Sequence, residues 1–254
     1  MKLFDLSGRV ALVTGGNGGI GLGIATGLAQ AGAAIAIAGR RALKNQDAVR
    51  KLTELGATAI DVEIDVANES SCREAIHRVG QELGRLDILV NNAGVANRKP
   101  PEAYTLAEWQ EIINVNLTGA FVCSQAAYPY LKSSGHGKII NIGSMLSIFG
   151  VPFAVAYAAS KGGIVQMTKA LATAWAKDNI QCNSILPGWI NTDLTAAARQ
   201  QVEGLNERVL SRTPAQRWGE PADFAGVAVF LASSGSDFVT GTAIPVDGGY
   251  SVQG

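Results

Sequence analysis

The 254-residue sequence predicts a single-domain α/β fold, a doubly wound parallel sheet of about seven strands with helices on both faces. Three observations predict it. Short apolar runs alternate with longer amphipathic stretches, several of the runs are apolar nearly throughout, and no linker or internal repeat divides the chain. Strands that are apolar on both faces are typical of parallel sheets covered by helices. The alternation of strand and helix requires crossovers over the sheet, so residues 1–254 are expected to form one domain.

Seven runs are predicted to be strands because aliphatic and β-branched residues dominate them and turn-forming residues bound most of them. In chain order they cover residues 9–15, 34–39, 58–65, 86–94, 138–144, 180–188 and 242–249. The segments between them carry helix formers at amphipathic spacing. These segments predict helices over residues 20–32, 42–55, 69–83, 105–133, 155–178 and 221–233.

Charge and composition argue against several classes of function. The 21 basic and 21 acidic residues balance, and no long Lys/Arg run occurs, so binding to nucleic acid or to an anionic membrane is not expected. No run has the apolar length that a bilayer span needs. Asp5 and Arg9 interrupt the start of the chain before the apolar part of a signal peptide builds up. We therefore expect a cytoplasmic protein without a membrane partner.

The cysteines and histidines match neither a disulfide framework nor a metal site. Cys72, Cys123 and Cys182 are odd in number and widely spaced, so buried thiols in a reducing cytosol are expected. His77 and His136 are the two histidines of the sequence. Neither a bound metal nor a histidine-based catalytic triad is therefore expected.

The segment VTGGNGGIGLG, residues 13–23, lies where the first predicted strand meets the first predicted helix. Glycines there let the backbone approach a pyrophosphate, which the free N–H groups and the dipole of the helix N-terminus stabilise. The turn therefore predicts a Rossmann-type dinucleotide site, and its glycines can be aligned with the motif in two ways, called registers below. The two registers are Gly16, Gly18 and Gly21, and Gly15, Gly19 and Gly21.

The position expected to contact the adenosine ribose, about 20 residues further on, carries AGRR instead of an acid. Sites for NAD usually place Asp or Glu there to bind the 2′-hydroxyl. Here Arg40 and Arg41 follow Gly39, and the next acid is Asp47. Guanidinium groups suit a 2′-phosphate, although both arginines could instead begin an exposed helix. We expect NADP(H) as the preferred cofactor, with NAD(H) possible.

Tyr157 and Lys161 stand four residues apart in the segment AYAASKGG, residues 156–163, so a helix places both on one face. A phenol with a pKa near 10 is a poor base at neutral pH. A neighbouring ammonium and the positive ring of an oxidised nicotinamide both favour the phenolate. Lowering the phenol pKa by about 3 units requires roughly 4 kcal/mol, which two cations in a water-poor cleft can supply. The pair predicts an acid/base that exchanges a proton with a substrate hydroxyl.

Several motifs follow one another in a fixed order: the glycine-rich turn, NNAG at residues 91–94, Ser144, Tyr157 with Lys161, and PGWINT at residues 187–192. In this order and spacing, the whole chain resembles the short-chain dehydrogenase/reductase family. The resemblance selects the second glycine register. It also implies a catalytic tetrad of Asn116, Ser144, Tyr157 and Lys161.

The resemblance implies roles for single residues as well. Ser144 would hydrogen-bond the reacting oxygen, Asn116 would hold a water that relays protons towards Lys161, and Asp65 would contact the adenine amino group. Asn92 would either bind the cofactor or brace the central sheet. The implied cofactor-binding residues are Gly15, Asn17, Gly19, Ile20, Gly21, Arg40, Arg41, Asp65, Val66, Asn92, Ala93, Gly94, Tyr157, Lys161, Pro187, Gly188, Ile190 and Thr192.

The segment about 190–215 resembles the substrate-covering region of the family. It and the residues just after it carry several arginines that are candidates for contacts with a charged substrate: Arg199, Arg208, Arg212 and Arg217. LFDLSGRVALVTGG, at the start, is similar to gluconate 5-dehydrogenases. GKIINIGSMLS and the C-terminal segment are similar to 2-deoxygluconate and 2-dehydro-3-deoxygluconate dehydrogenases. These resemblances imply an alcohol/ketone oxidoreductase of a sugar acid or polyol, assembled as a homotetramer. The NADP preference is predicted from Arg40 and Arg41 instead, which the gluconate-type members that use NAD are not expected to carry.

Two alternatives stay open. The C-terminal pattern is shared with 3-oxoacyl-[acyl-carrier-protein] reductases, which would act on an acetoacetyl thioester and ignore gluconate-type acids. A dinucleotide-sensing protein without turnover is the other alternative. Such a protein would be expected to lack Ser144, Tyr157 or Lys161, and this chain keeps all three.

Overall fold

Seven strands form one parallel sheet in the computed structural model, which describes residues 2–254 except the side chain of Ala197. The strands are β1 (Val10–Thr14), β2 (Ala34–Gly39), β3 (Ala59–Glu63), β4 (Ile88–Asn91), β5 (Gly137–Ile142), β6 (Ile180–Pro187) and β7 (Ala243–Val246). They lie in the order β3-β2-β1-β4-β5-β6-β7, and each neighbouring pair is parallel. The predicted doubly wound sheet is confirmed.

Helices cover both faces of this sheet. They are α1 (Gly19–Gln30), α2 (Ala42–Glu54), α3 (Glu69–Glu82), α4 (Leu106–Ile113), α5 (Gly119–Ser134), α6 (Val155–Trp175), α7 (Asp193–Gln201), α8 (Leu205–Arg212) and α9 (Ala225–Ala232). Within the part of the chain that the structure describes, no helix combines the length and the apolar character that crossing a membrane requires.

The segment predicted as one helix over residues 105–133 is divided by a π-helical turn. α4 ends at Ile113, the turn covers Asn114–Thr118, and α5 begins at Gly119. The helical path continues through all three, which is why the amphipathic spacing predicted a single element. π-helical turns are rare and often lie at functional sites. This one carries Asn116 and buries its side chain.

The predicted substrate-covering segment contains α7 and α8, two short helices that sequence reasoning did not assign. Their apolar side chains Ala198, Leu205 and Val209 form a small cluster with Trp218, apart from the main core. Helices of two turns with so few apolar positions produce a weak periodic signal. The sequence therefore did not predict them.

Side chains of the central strand β1 alternate between the two faces of the sheet, as the strand period of two requires. Ala11 and Val13 pack into the apolar layer that includes α1 and α9. Val10 and Leu12 pack into the opposite layer, which includes α3 and α5. Because both faces are covered, the strand is apolar from Val10 to Val13.

The crossovers diverge between β1 and β4, because β2 and β3 lie on one side of β1 and β4 to β7 on the other. Ligands of doubly wound sheets bind at the carboxyl ends of the strands at this point. Here Thr14 Oγ1 donates to the carbonyl oxygen of Val90 at 3.2 Å. Thr14 Oγ1 also accepts from the backbone N–H groups of Asn92 and Ala93 at 3.0 and 3.1 Å. Thr14 thereby holds the loop after β4 against the end of β1 and sets one side of a crevice.

Candidate active site

The glycine-rich turn after β1 forms a wall of this crevice. Gly15 and Gly19 adopt φ angles of +63° and +51°, in the left-handed region that favours glycine. Gly18 has an extended backbone. A Cβ at Gly21 would lie 2.4 Å from both the carbonyl oxygen of Gly15 and Nδ2 of Asn92. Gly21 is common to both registers, whereas the positive φ angles fall on Gly15 and Gly19 and not on Gly16 or Gly18, so the turn matches the second register.

This turn fits the pyrophosphate of a dinucleotide. Gly18 is the N-cap of α1, so no side chain caps the N–H groups of the first helical turn. Free N–H groups and the helix dipole at such a terminus stabilise phosphate. The crevice beside them has a volume of about 310 Å³.

Asn92 braces the turn and also lines the crevice. Its Nδ2 donates to the carbonyl oxygens of Thr14 and Gly15 at 3.0 and 3.1 Å. Asn91, one residue earlier, is the residue that braces the sheet. Its Nδ2 donates to Ser124 Oγ at 2.9 Å and to Asn141 Oδ1 at 2.8 Å. The two asparagines of NNAG thus hold different parts of the structure.

The end of β2 explains why no acid occupies the usual ribose-binding position. A Cβ at Gly39 would lie 2.6 Å from Nδ2 of Asn17 and 2.9 Å from Oδ1 of Asn45. Asn17 donates to Asn45 at 2.6 Å, and Asn45 donates to the carbonyl oxygen of Gly39 at 2.8 Å. A side chain at position 39 would disrupt this amide cluster. Arg40 and Arg41 are both exposed, and of the two only Arg41 lines the crevice.

Most of the predicted cofactor-binding residues line the crevice: Gly15, Asn17, Gly19, Ile20, Arg41, Asn92, Ala93, Gly94, Tyr157, Lys161, Pro187, Gly188, Ile190 and Thr192. The structure does not bring Gly21, Arg40, Asp65 or Val66 to this lining. Gly21 acts through close packing, as described above. The carboxylate of Asp65 accepts from the backbone N–H of Ala67 at 3.0 Å, just past β3. Its contact with adenine stays a prediction.

Tyr157 and Lys161 lie one turn apart on α6 and both line the crevice. Lys161 is 4% exposed, and its Nζ donates to the carbonyl oxygen of Ile142 at 2.7 Å. The same Nζ lies 5.6 Å from the centre of the Tyr157 ring. Burial lowers the pKa of Lys161 to about 8. Burial raises the pKa of Tyr157, while hydrogen bonding to Ser144 and the charge of Arg98 oppose the rise.

Ser144 is oriented by a short 3₁₀ turn that follows β5. Its Oγ accepts from the backbone N–H of Leu146 at 3.1 Å, so its hydroxyl hydrogen can be donated into the crevice, to Tyr157 or to a substrate oxygen. Ser147 accepts from the backbone N–H of Ser144 at 3.1 Å and donates to the carbonyl oxygen of Lys161 at 2.8 Å. Ser147 thereby links the Ser144 turn to α6. Sequence reasoning did not assign it a role, because nothing in NIGSMLS distinguishes the two serines by their partners.

Asn116 joins the π-helical turn to the loop after β4. Its Oδ1 accepts from the N–H of Val95 at 2.8 Å, and its Nδ2 donates to the carbonyl oxygen of Val95 at 2.9 Å. Nδ2 also donates to Ser160 Oγ at 3.1 Å. Both amide hydrogens are therefore used within the protein. The side chain positions its neighbours, and the water relay stays a prediction.

A second cavity of about 150 Å³ shares Ser144 and Tyr157 with the crevice. Arg98 lines it and makes two long hydrogen bonds, to the carbonyl oxygen of Leu194 and to Gln201 Oε1, both at 3.4 Å. Arg212 lines it too. Its guanidinium carbon lies 5.0 Å from the centre of the Phe149 ring and 4.5 Å from that of Tyr250. None of the described residues that line this cavity is an Asp or a Glu.

The other arginines considered from the sequence are engaged elsewhere. Arg199 bonds to Asn191 and stacks 4.0 Å from the centre of the Trp218 ring. Arg208 donates to the carbonyl oxygen of Glu203 at 3.0 Å, and Arg217 pairs with Asp223 at 2.7 Å. Of Arg199, Arg208, Arg212 and Arg217, only Arg212 is among the described residues that line the second cavity.

Two cationic residues of the site were not considered from the sequence, Arg98 and Lys44. Arg98 follows NNAG by four residues, in the loop that faces the cavity. Lys44 lies on the first turn of α2 and lines the crevice. In the sequence, each is a basic residue a few positions after a recognised motif, NNAG for Arg98 and AGRR for Lys44. Basic residues are so common on protein surfaces that such a position does not by itself indicate a functional role.

A family model described as enoyl-(acyl carrier protein) reductase, one of the short-chain dehydrogenase models, matches residues 15–251. A 2-dehydro-3-deoxy-D-gluconate 5-dehydrogenase of Formosa agariphila is 40% identical over 250 residues, which cover 98% of this chain and 95% of that protein. The chain belongs to the short-chain dehydrogenase/reductase family.

Other members of this family are equally similar. A 5-keto-D-gluconate 5-reductase of Escherichia coli K12 is 40% identical, with 98% of each chain covered. The crystal structure of a gluconate 5-dehydrogenase from Burkholderia cenocepacia, in complex with NADP and tartrate, has a TM-score of 0.94 at 41% identity, with 98% of each chain covered. The family predicted from the motifs is thereby confirmed. The chain is an NAD(P)-dependent oxidoreductase that acts on CH–OH groups.

Proposed function

We propose that this short-chain dehydrogenase/reductase prefers NADP and interconverts a secondary hydroxyl and a ketone of a sugar acid or a related polyhydroxy compound. The observation that carries the proposal is the charge of the cavity beside Tyr157. The guanidinium groups of Arg98 and Arg212 line this cavity, and its described lining contains no carboxylate. Such a cavity favours a substrate that carries a carboxylate.

The names of the relatives support the same substrate class. Three of them act, by name, on gluconate or its keto and deoxy derivatives. One was crystallised with NADP and with tartrate, itself a hydroxy acid. These names describe those proteins, and their agreement with the positive cavity supports extending the substrate class to this chain.

The proposed chemistry assigns one task to each side chain. When bound, the nicotinamide accepts or returns a hydride. The phenol oxygen of Tyr157 takes the hydroxyl proton in oxidation and returns it in reduction. Ser144 keeps its proton and donates a hydrogen bond through its hydroxyl to the substrate oxygen. Lys161, with a pKa of about 8, is positively charged at neutral pH and stabilises the phenolate.

A 3-oxoacyl-thioester reductase is the second candidate, because the matching family model is described as an acyl carrier protein reductase. A screen of purified protein with both cofactors against sugar acids, polyols and an acetoacetyl thioester separates the two candidates. Turnover of sugar acids or polyols supports the proposed function. Turnover of the thioester alone contradicts it.

Arg98→Met is expected to raise KM for a sugar acid about 10- to 100-fold, because a charge-assisted hydrogen bond contributes about 1.5–3 kcal/mol. KM for an uncharged polyol should change by less than about threefold. Steady-state kinetics with both substrates measure the difference. Arg208→Met is the matched control, because Arg208 is exposed and bonds only to a nearby carbonyl oxygen among its described contacts. An equal effect on acid and polyol would argue against the carboxylate contact.

We also propose a homotetramer, located in the cytoplasm, where its three free and buried cysteines would stay reduced. Two surfaces support the assembly. Phe238 is fully exposed just before the edge strand β7, and α6 presents exposed alanines, Ala159, Ala170 and Ala174, on its outer face. Exposed apolar surfaces of this kind are typical of interfaces, and four identical subunits usually close with dihedral symmetry.

Light scattering at micromolar concentration is expected to report a tetramer. Phe238→Asp should convert it to dimers, because a charge in place of the exposed ring opposes burial of the β7 side while leaving α6 unchanged. Leu55→Asp, at another exposed apolar position, is the control and should remain tetrameric. A stable monomer for the unmodified chain would refute the assembly.

A further inference from the structure

Lys44 lies at the mouth of the cofactor crevice. Its Nζ is 3.0 Å from the place where a Cβ of Gly18 would stand, so the ammonium lies over the glycine-rich turn. The same Nζ donates to Oδ2 of Asp193 at 3.2 Å. Lys44 belongs to α2 and Asp193 to the first turn of α7, and both line the crevice. The ion pair therefore connects two walls of the opening.

Positive charge accumulates at this point. α1 begins beside Gly18, and its uncapped N-terminus carries a partial positive charge. Arg41 lines the same end of the crevice and, like Lys44, lies at the start of α2. An anion placed here would be stabilised by both cations and by the helix. In this structure, the carboxylate of Asp193 is the anion bonded to Lys44.

The ion pair with Asp193 binds the ammonium of Lys44 only weakly. The side chain of Asp193 is 94% exposed, and that of Lys44 is 34% exposed. An exposed ion pair of this kind changes an equilibrium by less than about fivefold, so Lys44 loses little when it leaves Asp193 for another anion. A phosphate group, with up to about two negative charges and three acceptor oxygens, attracts an ammonium more strongly than a single carboxylate does. Asp193 also keeps a favourable place in the first turn of α7 without Lys44. A phosphate group can therefore replace Asp193 as the partner of Lys44.

We propose that Lys44 binds the 2′-phosphate of NADP, and that Asp193 holds its ammonium at the crevice mouth until the phosphate arrives. This inference rests on the NADP preference proposed above. The 2′-phosphate is favoured over the pyrophosphate because Lys44 and Arg41 share the helix start that follows β2. The adenosine ribose is bound at that strand end in doubly wound dinucleotide sites. Lys44 thus places a cation of α2 over the glycine-rich turn at Gly18, a residue that has no side chain of its own to bind a phosphate.

Calorimetric binding of two nucleotide fragments to the full chain tests the inference without turnover. Adenosine 2′,5′-bisphosphate carries the 2′-phosphate, and adenosine 5′-monophosphate lacks it. Lys44→Met is expected to raise Kd for the bisphosphate about tenfold and to change Kd for the monophosphate by less than twofold. Lys44→Arg should restore most of the loss. Lys51→Met, an exposed lysine at the other end of α2, is the matched control.

Asp193→Asn tests the holding role. Without the competing carboxylate, Kd for the bisphosphate should fall about two- to fivefold, while Kd for the monophosphate stays unchanged. Glu207→Gln, in the first turn of α8, is the control because it places the same change on an exposed helix start outside the crevice lining. An unchanged or weaker affinity for the bisphosphate would overturn the holding role.

The possible failures are distinguishable. If the unmodified chain binds both fragments equally, the NADP preference itself is wrong, and the inference falls with it. If the unmodified chain prefers the bisphosphate but Lys44→Met keeps that preference, the preference stands and Lys44 is not its source. If Lys44→Met weakens both fragments equally, Lys44 binds the phosphate that they share, and the assignment to the 2′-phosphate is wrong. Thermal unfolding of each variant checks that the fold is retained.

Discussion

Tyr157→Phe is expected to lower kcat by about 10²- to 10⁴-fold, the range that a lost acid/base covers. The substitution removes only the phenol oxygen, which acts on the substrate in the proposed chemistry, and leaves the ring beside Lys161 in place. The Kd of NADP should therefore change by less than about threefold. Stopped-flow or steady-state rates with the best sugar acid from the screen give kcat, and calorimetry gives Kd.

A matched variant exists for this test. Tyr250 lines the same cavity but lies beside Arg212 and Phe149, away from Lys161. Tyr250→Phe should keep kcat within about threefold, because the cation–π contact of Arg212 needs the ring and not the hydroxyl. If Tyr157→Phe retained most of the wild-type kcat, the acid/base would have to be another group.

Lys161→Met is expected to reduce kcat/KM by about 10²-fold or more and to weaken NADP binding as well. The ammonium has two tasks in the proposed site: it stabilises the phenolate of Tyr157, and it binds the cofactor, as the family resemblance implies. It also bonds the end of β5 through Ile142, so thermal unfolding should accompany the kinetics. Lys169→Met, at an exposed position of the same helix, is the control and should behave as wild type.

The pH dependence of this effect has a definite sign. Burial lowers the pKa of Lys161 to about 8, so the ammonium is present below that pH and is lost as pH rises through it. The contribution of Lys161 to NADP affinity should therefore decline above about pH 8 in the unmodified chain. Binding to Lys161→Met should lack this decline. Identical pH profiles for the two proteins would show that the ammonium does not contact the cofactor.

The sequence by itself determined the sheet, the place of the crevice and the main chemistry. Apolar runs alternating with amphipathic ones are local signals, and a parallel doubly wound sheet is the architecture that covers such strands on both faces. The pairing of Tyr157 with Lys161 is equally local, because four residues make one helical turn. The glycine-rich turn predicted the phosphate-binding wall, since its residues act through their own backbone.

Only the tertiary structure decided which of the neighbouring residues face the site. A sequence cannot separate Arg40 from Arg41, because the direction of each side chain depends on how α2 leaves β2. The same holds for Ser147, whose partners lie on α6, and for Arg98, which reaches α7.

The ion pair of Lys44 and Asp193 joins residues 149 positions apart. Neither residue belongs to a motif, and no periodicity relates them. Their meeting is set by the packing of α2 and α7 around the crevice. Local spacing therefore determined the fold and predicted the reacting groups, whereas the positions of the charges that we propose to select cofactor and substrate were decided by contacts between distant segments.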